Sequence, residues 1–116
     1  MKHIVILDGP PYGSEGFWNG LRLATGLTKR PDTDVRVYLT ADAVSGAKTG
    51  QRTPDGYYNV ERLLRGLATK GVQISTCATC LDARGIKDTD LIHGVDRGSI
   101  DILTDWTVWA DKVITF

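Results

Sequence analysis

Apolar residues fall along this chain in short blocks of two alternating kinds. His3 to Leu7 is a continuous apolar run, the pattern of a strand buried on both faces. Asp8-Gly9-Pro10-Pro11-Tyr12-Gly13 then forms a dense turn signal. Phe17, Leu21, Ala24 and Leu27 recur at helical spacing behind Ser14, which predicts a helix capped by Ser14 and ended before Pro31. Val35, Val37 and Leu39 alternate as a second strand. A polar stretch from Thr40 to Gly56 follows, with a short helix predicted over Asp42 to Ala47 and a mobile loop over Lys48 to Gly56. Asn59 is placed to cap a helix whose stripe is Val60, Leu63, Leu64 and Leu67, and Gly71 stands where a left-handed residue ends it. Val72, Ile74 and Thr76 alternate as a third strand. Leu81 to Gly98 carries the weakest pattern, and Leu91-Ile92 reads as a brief strand or a helical turn. Ser99 opens a last helix with Ile102, Leu103, Trp106 and Trp109 on one face and Asp101 in its first turn. Lys112 to Phe116 reads as a terminal strand.

Strands alternating with helices predict an α/β fold with a mainly parallel sheet, right-handed crossovers and helices on both faces. With 116 residues the chain is one domain, residues 1–116. Ligand chemistry in such sheets sits beyond the carboxyl ends of the strands. Three segments fall at that edge: Asp8 to Glu15, Thr40 to Asp42, and Cys77 to Gly85.

Composition narrows the function classes. Hydrophobic residues make up 41% and charged residues 24%, a globular balance. Fourteen basic and fourteen acidic side chains cancel, so direct nucleic-acid binding, which needs a basic excess, is not expected. Zero net charge also removes repulsion between copies, which favours self-association. No apolar run is long enough to span a membrane, and the N-terminus lacks the apolar stretch of a signal peptide, so a cytoplasmic protein is expected.

The only cysteines are Cys77 and Cys80, three apart and directly after the third strand. A helical turn beginning after Cys77 aims backbone N–H groups at its sulfur and favours the reactive thiolate, and Arg84 downstream adds positive charge. A second thiol at i+3 is placed to attack an intermediate formed on the first. Disulfide and persulfide chemistry both fit this pair, as does a structural role. One CxxC supplies two zinc ligands where a structural site needs four, and neither His3 nor His93 has metal-site spacing. A thioredoxin-like reading suffers from the late position of the pair after two strand–helix units. The loop from Gly9 to Gly16 lacks both GxGxxG and a terminal Gly-Lys-Ser/Thr, and Glu15 would repel a phosphate. Its Tyr12, Gly13, Ser14 and Glu15 are candidates to line a cleft or a subunit contact. Asp88 and Asp90 read as a solvated loop, and Trp106 and Trp109 as core or oligomer-contact residues.

Five segments in order resemble the DsrE/DsrF/TusD-like sulfur-relay family, most closely its small YchN-like branch. They are Pro11-Tyr12-Gly13-Ser14-Glu15, Leu21-Arg22-Leu23-Ala24, Asp42-Ala43-Val44, Cys77-Ala78-Thr79-Cys80 with Arg84-Gly85-Ile86, and Ala110 to Phe116. The resemblance implies a three-layer α/β/α sandwich with a mainly parallel, five-stranded sheet. It also implies homo-oligomers, trimers or hexamers, with the cysteine loops near subunit boundaries. Family members carry sulfur as a cysteine persulfide, exchanged with a donor or acceptor protein and without a cofactor. The interval from Cys77 to Arg84-Gly85 matches the acceptor cysteine of the TusD and DsrE branches. Cys80 belongs to the YchN-like pattern, where it would resolve or hold the adduct, and Tyr12, Ser14, Glu15 and Asp42 would shape the cleft. Two other readings stand beside this one: a non-catalytic oligomeric binding or regulatory protein, and a CxxC dithiol redox protein.

Overall fold

Five parallel strands carry the molecule in a computed structural model that describes residues 1–116. In chain order the elements are β1 (Lys2–Leu7), α1 (Gly16–Leu27), β2 (Asp34–Leu39), a 3-10 segment (Ala41–Ala47) and α2 (Val60–Thr69). Then come β3 (Gln73–Thr76), α3 (Ala78–Ala83), a 3-10 turn (Asp88–Asp90), β4 (Val95–Arg97), α4 (Ile100–Trp109) and β5 (Lys112–Thr115). The sheet order is β4-β3-β2-β1-β5. Every pairing is parallel, with Val5 opposite Val37 and Ile114, and Leu39 opposite Thr76.

The period-two alternation sorts the strand residues onto two faces. Val5, Leu7, Val37, Leu39 and Ile74 join Phe17, Leu21 and Ala24 of α1 and Leu64 and Leu67 of α2 in one continuous core. Leu81 of α3 belongs to the same core. The opposite face presents Ile4, Tyr38 and Ser75 and is covered by α4 alone. Tyr38 meets Trp106 edge-on at 6.2 Å, and the Arg36 guanidinium lies 3.8 Å from the Trp109 ring centre. No residue of α4 is buried, so its predicted face is only half covered.

Local chemistry explains most element ends. Asn59 Oδ1 accepts the Arg62 N–H at 3.1 Å and caps α2, and Ser99 Oγ accepts the Ile102 N–H at 3.2 Å and caps α4. Gly71, at φ +86°, closes α2. One expectation needs correction, and the structure fills in others. The first helix starts at Gly16 with Glu15 as its cap residue, and Ser14 Oγ accepts only the Gly16 N–H at 3.4 Å. Of the segment Lys48 to Gly56, the first part, Lys48 to Gln51, is tied down by its backbone and by Gln51, while Arg52 and Pro54 to Gly56 stay exposed. Lys48 bridges to Leu91, the Thr49 N–H reaches the Asp90 carbonyl at 2.8 Å, and Gln51 Nε2 donates to the Gly46 and Lys48 carbonyls. The fourth strand forms at Val95–Arg97, and Leu91 makes an isolated bridge to Lys48 directly after the 3-10 turn. Asp88 lies in an exposed loop, as expected, where it pairs with Arg97, and Asp90 Oδ2 accepts the Lys87 N–H at 2.9 Å.

Candidate functional site

The two cysteines sit at the carboxyl end of the sheet, beside its central strand. Cys77 is the residue at which β3 becomes α3. Its N–H donates to the Leu39 carbonyl at 2.9 Å, so the β2–β3 ladder runs one rung past the strand. Its side chain takes the helix-capping role usually given to oxygen: Sγ accepts the Cys80 N–H at 3.3 Å. The Thr79 hydroxyl lies 3.3 Å from the same sulfur. Burial raises the thiol pKa. The Cys80 side chain, the Thr79 hydroxyl, the Cys80 N–H and the Thr40 side chain all favour the anion, and together they hold it below the ordinary value. Because α3 is only six residues long, these specific hydrogen bonds carry the effect rather than a macrodipole.

Cys80 is held from the next loop. Its Sγ accepts the Ala41 N–H at 3.3 Å and lies 3.8 Å from the Thr40 hydroxyl. Ala41 reaches that position with φ +51°, a left-handed conformation that costs a non-glycine residue of order 1 kcal/mol or more. Both cysteines are free thiols of intermediate exposure. Arg84 does not reach either sulfur. Its guanidinium donates to Asp42 Oδ1 at 2.6 Å and to the Cys80 carbonyl at 3.1 Å, tying the loop after β2 to the end of α3. Gly85, at φ +66°, ends that helix behind it.

Cys77 opens into a cleft of about 320 Å³ between the sheet edge and the start of α4. Its walls include Tyr38, Thr40, Thr79, Ser99, Ile100 and Leu103, and no charged side chain lines it. Tyr38 spans its base, donating to the Ser99 carbonyl at 3.1 Å. Burial, followed by the charges of Cys77 and Cys80, pushes the Tyr38 hydroxyl up to about 12, so it stays protonated. Beside this wall the chain passes tightly. The Gly98 N–H donates to the Thr76 carbonyl at 2.8 Å, and a Cβ at Gly98 would lie 2.1 Å from Ser75 Oγ. Ser75 Oγ is buried with no hydrogen-bond partner.

Tyr12, Gly13, Ser14 and Glu15 lie elsewhere. Gly13, Ser14 and Glu15 line a second cleft of about 590 Å³ with Trp18 and the Gly56-Tyr57-Tyr58 turn, Tyr12 packs against Tyr58 without lining it, and the two clefts share no residue. Tyr38, Ser99, Ile100 and Leu103 were not found by sequence reasoning. The alternation Val35-Val37-Leu39 does place Tyr38 on the other sheet face, so its orientation was there to be read. The position of α4 over the ends of β2 and β3 depends on the chain path and left no local mark. No three His, Cys, Asp or Glu side chains converge as a metal site.

The sequence matches the model of the DsrE/DsrF-like family over residues 1–116. The chain belongs to the DsrE/DsrF-like family. Protein YchN of Escherichia coli strain K12 is 41% identical over 116 residues, spanning 99% of this chain and 98% of the relative. Protein MJ0989 of Methanocaldococcus jannaschii is 33% identical, with both chains covered in full. The crystal structure of the E. coli ychN protein superposes on all of this chain, and all of its own, with TM-score 0.91 at 43% identity. Protein MTH1491 of Methanobacterium thermoautotrophicum shares the fold, with TM-score 0.74 at 19% identity over 99% of this chain and 98% of its own. The five-stranded parallel sheet with four helices is therefore this family's architecture, with no helix long and apolar enough to cross a membrane.

Proposed function

We propose that this protein is a sulfur-transfer protein that accepts sulfane sulfur on Cys77. The observation that carries this reading is the Cys77 sulfur itself. It is held as a hydrogen-bond acceptor by the Cys80 N–H and the Thr79 hydroxyl, its thiol is pulled toward the anion, and it faces an uncharged cleft. The Cys77 thiolate attacks the outer sulfur of a donor hydropersulfide, R–S–SH. A bond forms between that sulfur and Cys77 Sγ, the donor S–S bond breaks, and its electron pair leaves with RS⁻, which takes up a proton. The sulfane sulfur changes carrier without net oxidation or reduction. The Tyr38 hydroxyl, Thr79 and the turn around Cys80 shape the space into which the terminal sulfur projects. Arg84 and Asp42 act as positioning residues, bracing the Cys80 turn through the Cys80 carbonyl. The experiment is intact-mass measurement after exposure of the reduced protein to a small hydropersulfide. The wild type and Cys80→Ser gain one dithiothreitol-removable sulfur, and Cys77→Ser gains none. Equal loading of the two variants would sink the assignment.

We further propose a homo-oligomer built on the α4 face. Ile100 is 71% exposed and Val108 83%, and Val113 of β5, on the same sheet face as α4, is 46% exposed. Ile100 also lines the Cys77 cleft, so a second copy seated there would form part of its rim.

A further inference from the structure

The second cleft is independent of the cysteines, and its chemistry points to one class of ligand. Three aromatic rings line it, and a fourth braces them. Tyr57 stacks on Tyr58 at 4.6 Å, Tyr58 stacks on Trp18 at 5.2 Å, and Tyr12 leans against Tyr58 at 5.5 Å. Tyr12 does not line the cleft and is held in place beside Tyr58: its hydroxyl donates to Gln51 Oε1 at 2.5 Å and accepts the Val60 N–H at 3.1 Å. Tyr57 stands at the mouth, half exposed. The charged side chain in the lining is the carboxylate of Glu15, which has no ion-pair partner, and no basic residue lines the cleft. Aromatic faces and a carboxylate both attract positive charge. The cluster already holds one cation on its outer side, where the Arg22 guanidinium lies 4.7 Å from the Trp18 ring centre. Burial, the Tyr57 hydroxyl and the charges of Tyr57 and Glu15 push the Tyr58 hydroxyl up to about 12, as a site that resists added negative charge would do. The volume of about 590 Å³ is that of a small-molecule site.

We propose that the cleft lined by Glu15, Trp18, Tyr57 and Tyr58 is a binding site for a small organic cation, a quaternary or protonated amine with an apolar body. The amine sits against the rings with its charge toward Glu15. No basic side chain lines the cleft to pair with a phosphate or a carboxylate.

The test uses choline and its neutral isostere 3,3-dimethyl-1-butanol, titrated into the full-length protein while the Trp18 indole N–H is followed by NMR. Choline is expected to give a saturable shift, with the neutral isostere about 3- to 30-fold weaker, the range of a cation–aromatic contact. Glu15→Gln and Tyr57→Leu should weaken choline several-fold while each variant keeps a cooperative thermal transition. Equal affinity for the two probes, or no saturable shift with either, overturns the proposal. So does a choline affinity unchanged in both variants. None of these results bears on sulfur loading at Cys77.

Discussion

Replacing Gly98 with alanine tests how the chain reaches the cysteine cleft. The added methyl group would stand 2.1 Å from Ser75 Oγ and 2.7 Å from the Thr76 carbonyl oxygen. A side-chain oxygen can rotate away, but the carbonyl cannot, because it accepts the Gly98 N–H at 2.8 Å and adjoins Cys77. Overpacking of this kind destabilises by about 1–3 kcal/mol, and a backbone obstacle belongs at the upper end. Unfolding entropy of about 2.1 cal/mol/K per residue converts 2–3 kcal/mol into a fall of roughly 8–12 °C in melting temperature for a chain of this length. The assay is thermal unfolding at a fixed protein concentration, so that any self-association is held constant. A double-mutant cycle sharpens it. Ser75→Ala removes a buried hydroxyl that has no partner, so alone it should be neutral or slightly stabilising. In Ser75→Ala/Gly98→Ala the closest clash is gone and the carbonyl clash remains. The pair should therefore recover about 1 kcal/mol relative to strict additivity. Gly98→Ala melting within about 2 °C of the wild type, or a strictly additive pair, would refute this account of the close approach.

Other outcomes follow from the same geometry. The pH midpoint for alkylation of Cys77 should lie below the ordinary thiol value of about 8.5. Thr79→Val should move it upward, since the hydroxyl beside the sulfur is lost. Because the folded thiol ionises more readily than the unfolded one, its contribution to stability is complete above the unfolded pKa. That contribution is lost as pH falls through the folded pKa, so the melting-temperature gap between wild type and Cys77→Ser should narrow on acidification. Arg84→Met should cost under about 1 kcal/mol, since its pair with Asp42 is largely exposed, and should slow Cys77 alkylation less than Thr79→Val does. Ile100→Asp with Val108→Asp should convert the proposed oligomer to monomer in light scattering while leaving the helical circular dichroism unchanged.

The fold was legible wherever periodicity and capping agreed. The runs His3–Leu7 and Val35–Leu39, the Asn59 and Ser99 caps and the glycine at 71 each make a local demand that the structure meets. Ser14 misled because a good capping residue two positions before the helix competes, on paper, with Glu15, whose side chain makes no capping bond. The segment after Ala47 looked mobile because its anchors, Asp90, Leu91 and Glu61, are distant in sequence. The site was half legible. The cysteines and the Thr40–Asp42 loop meet as strand order requires. Arg84 lies near them but turns toward Asp42, and that choice depends on side-chain reach that spacing does not encode. Tyr12 to Glu15 do leave the sheet at the same edge. Gly13 to Glu15 diverge into another cleft because β1 is separated from β3 by β2.

The rung between the Cys77 N–H and the Leu39 carbonyl makes the two thiols unequal in time. Cys77 is fastened to the middle of a parallel sheet, and its amide is released to solvent only by openings that part β2 from β3. Cys80 rides on a six-residue helix steadied by a neighbouring loop, and its amide should exchange sooner. In the proposed sulfur carrier, the accepted atom would therefore rest on the more slowly opening member of the pair.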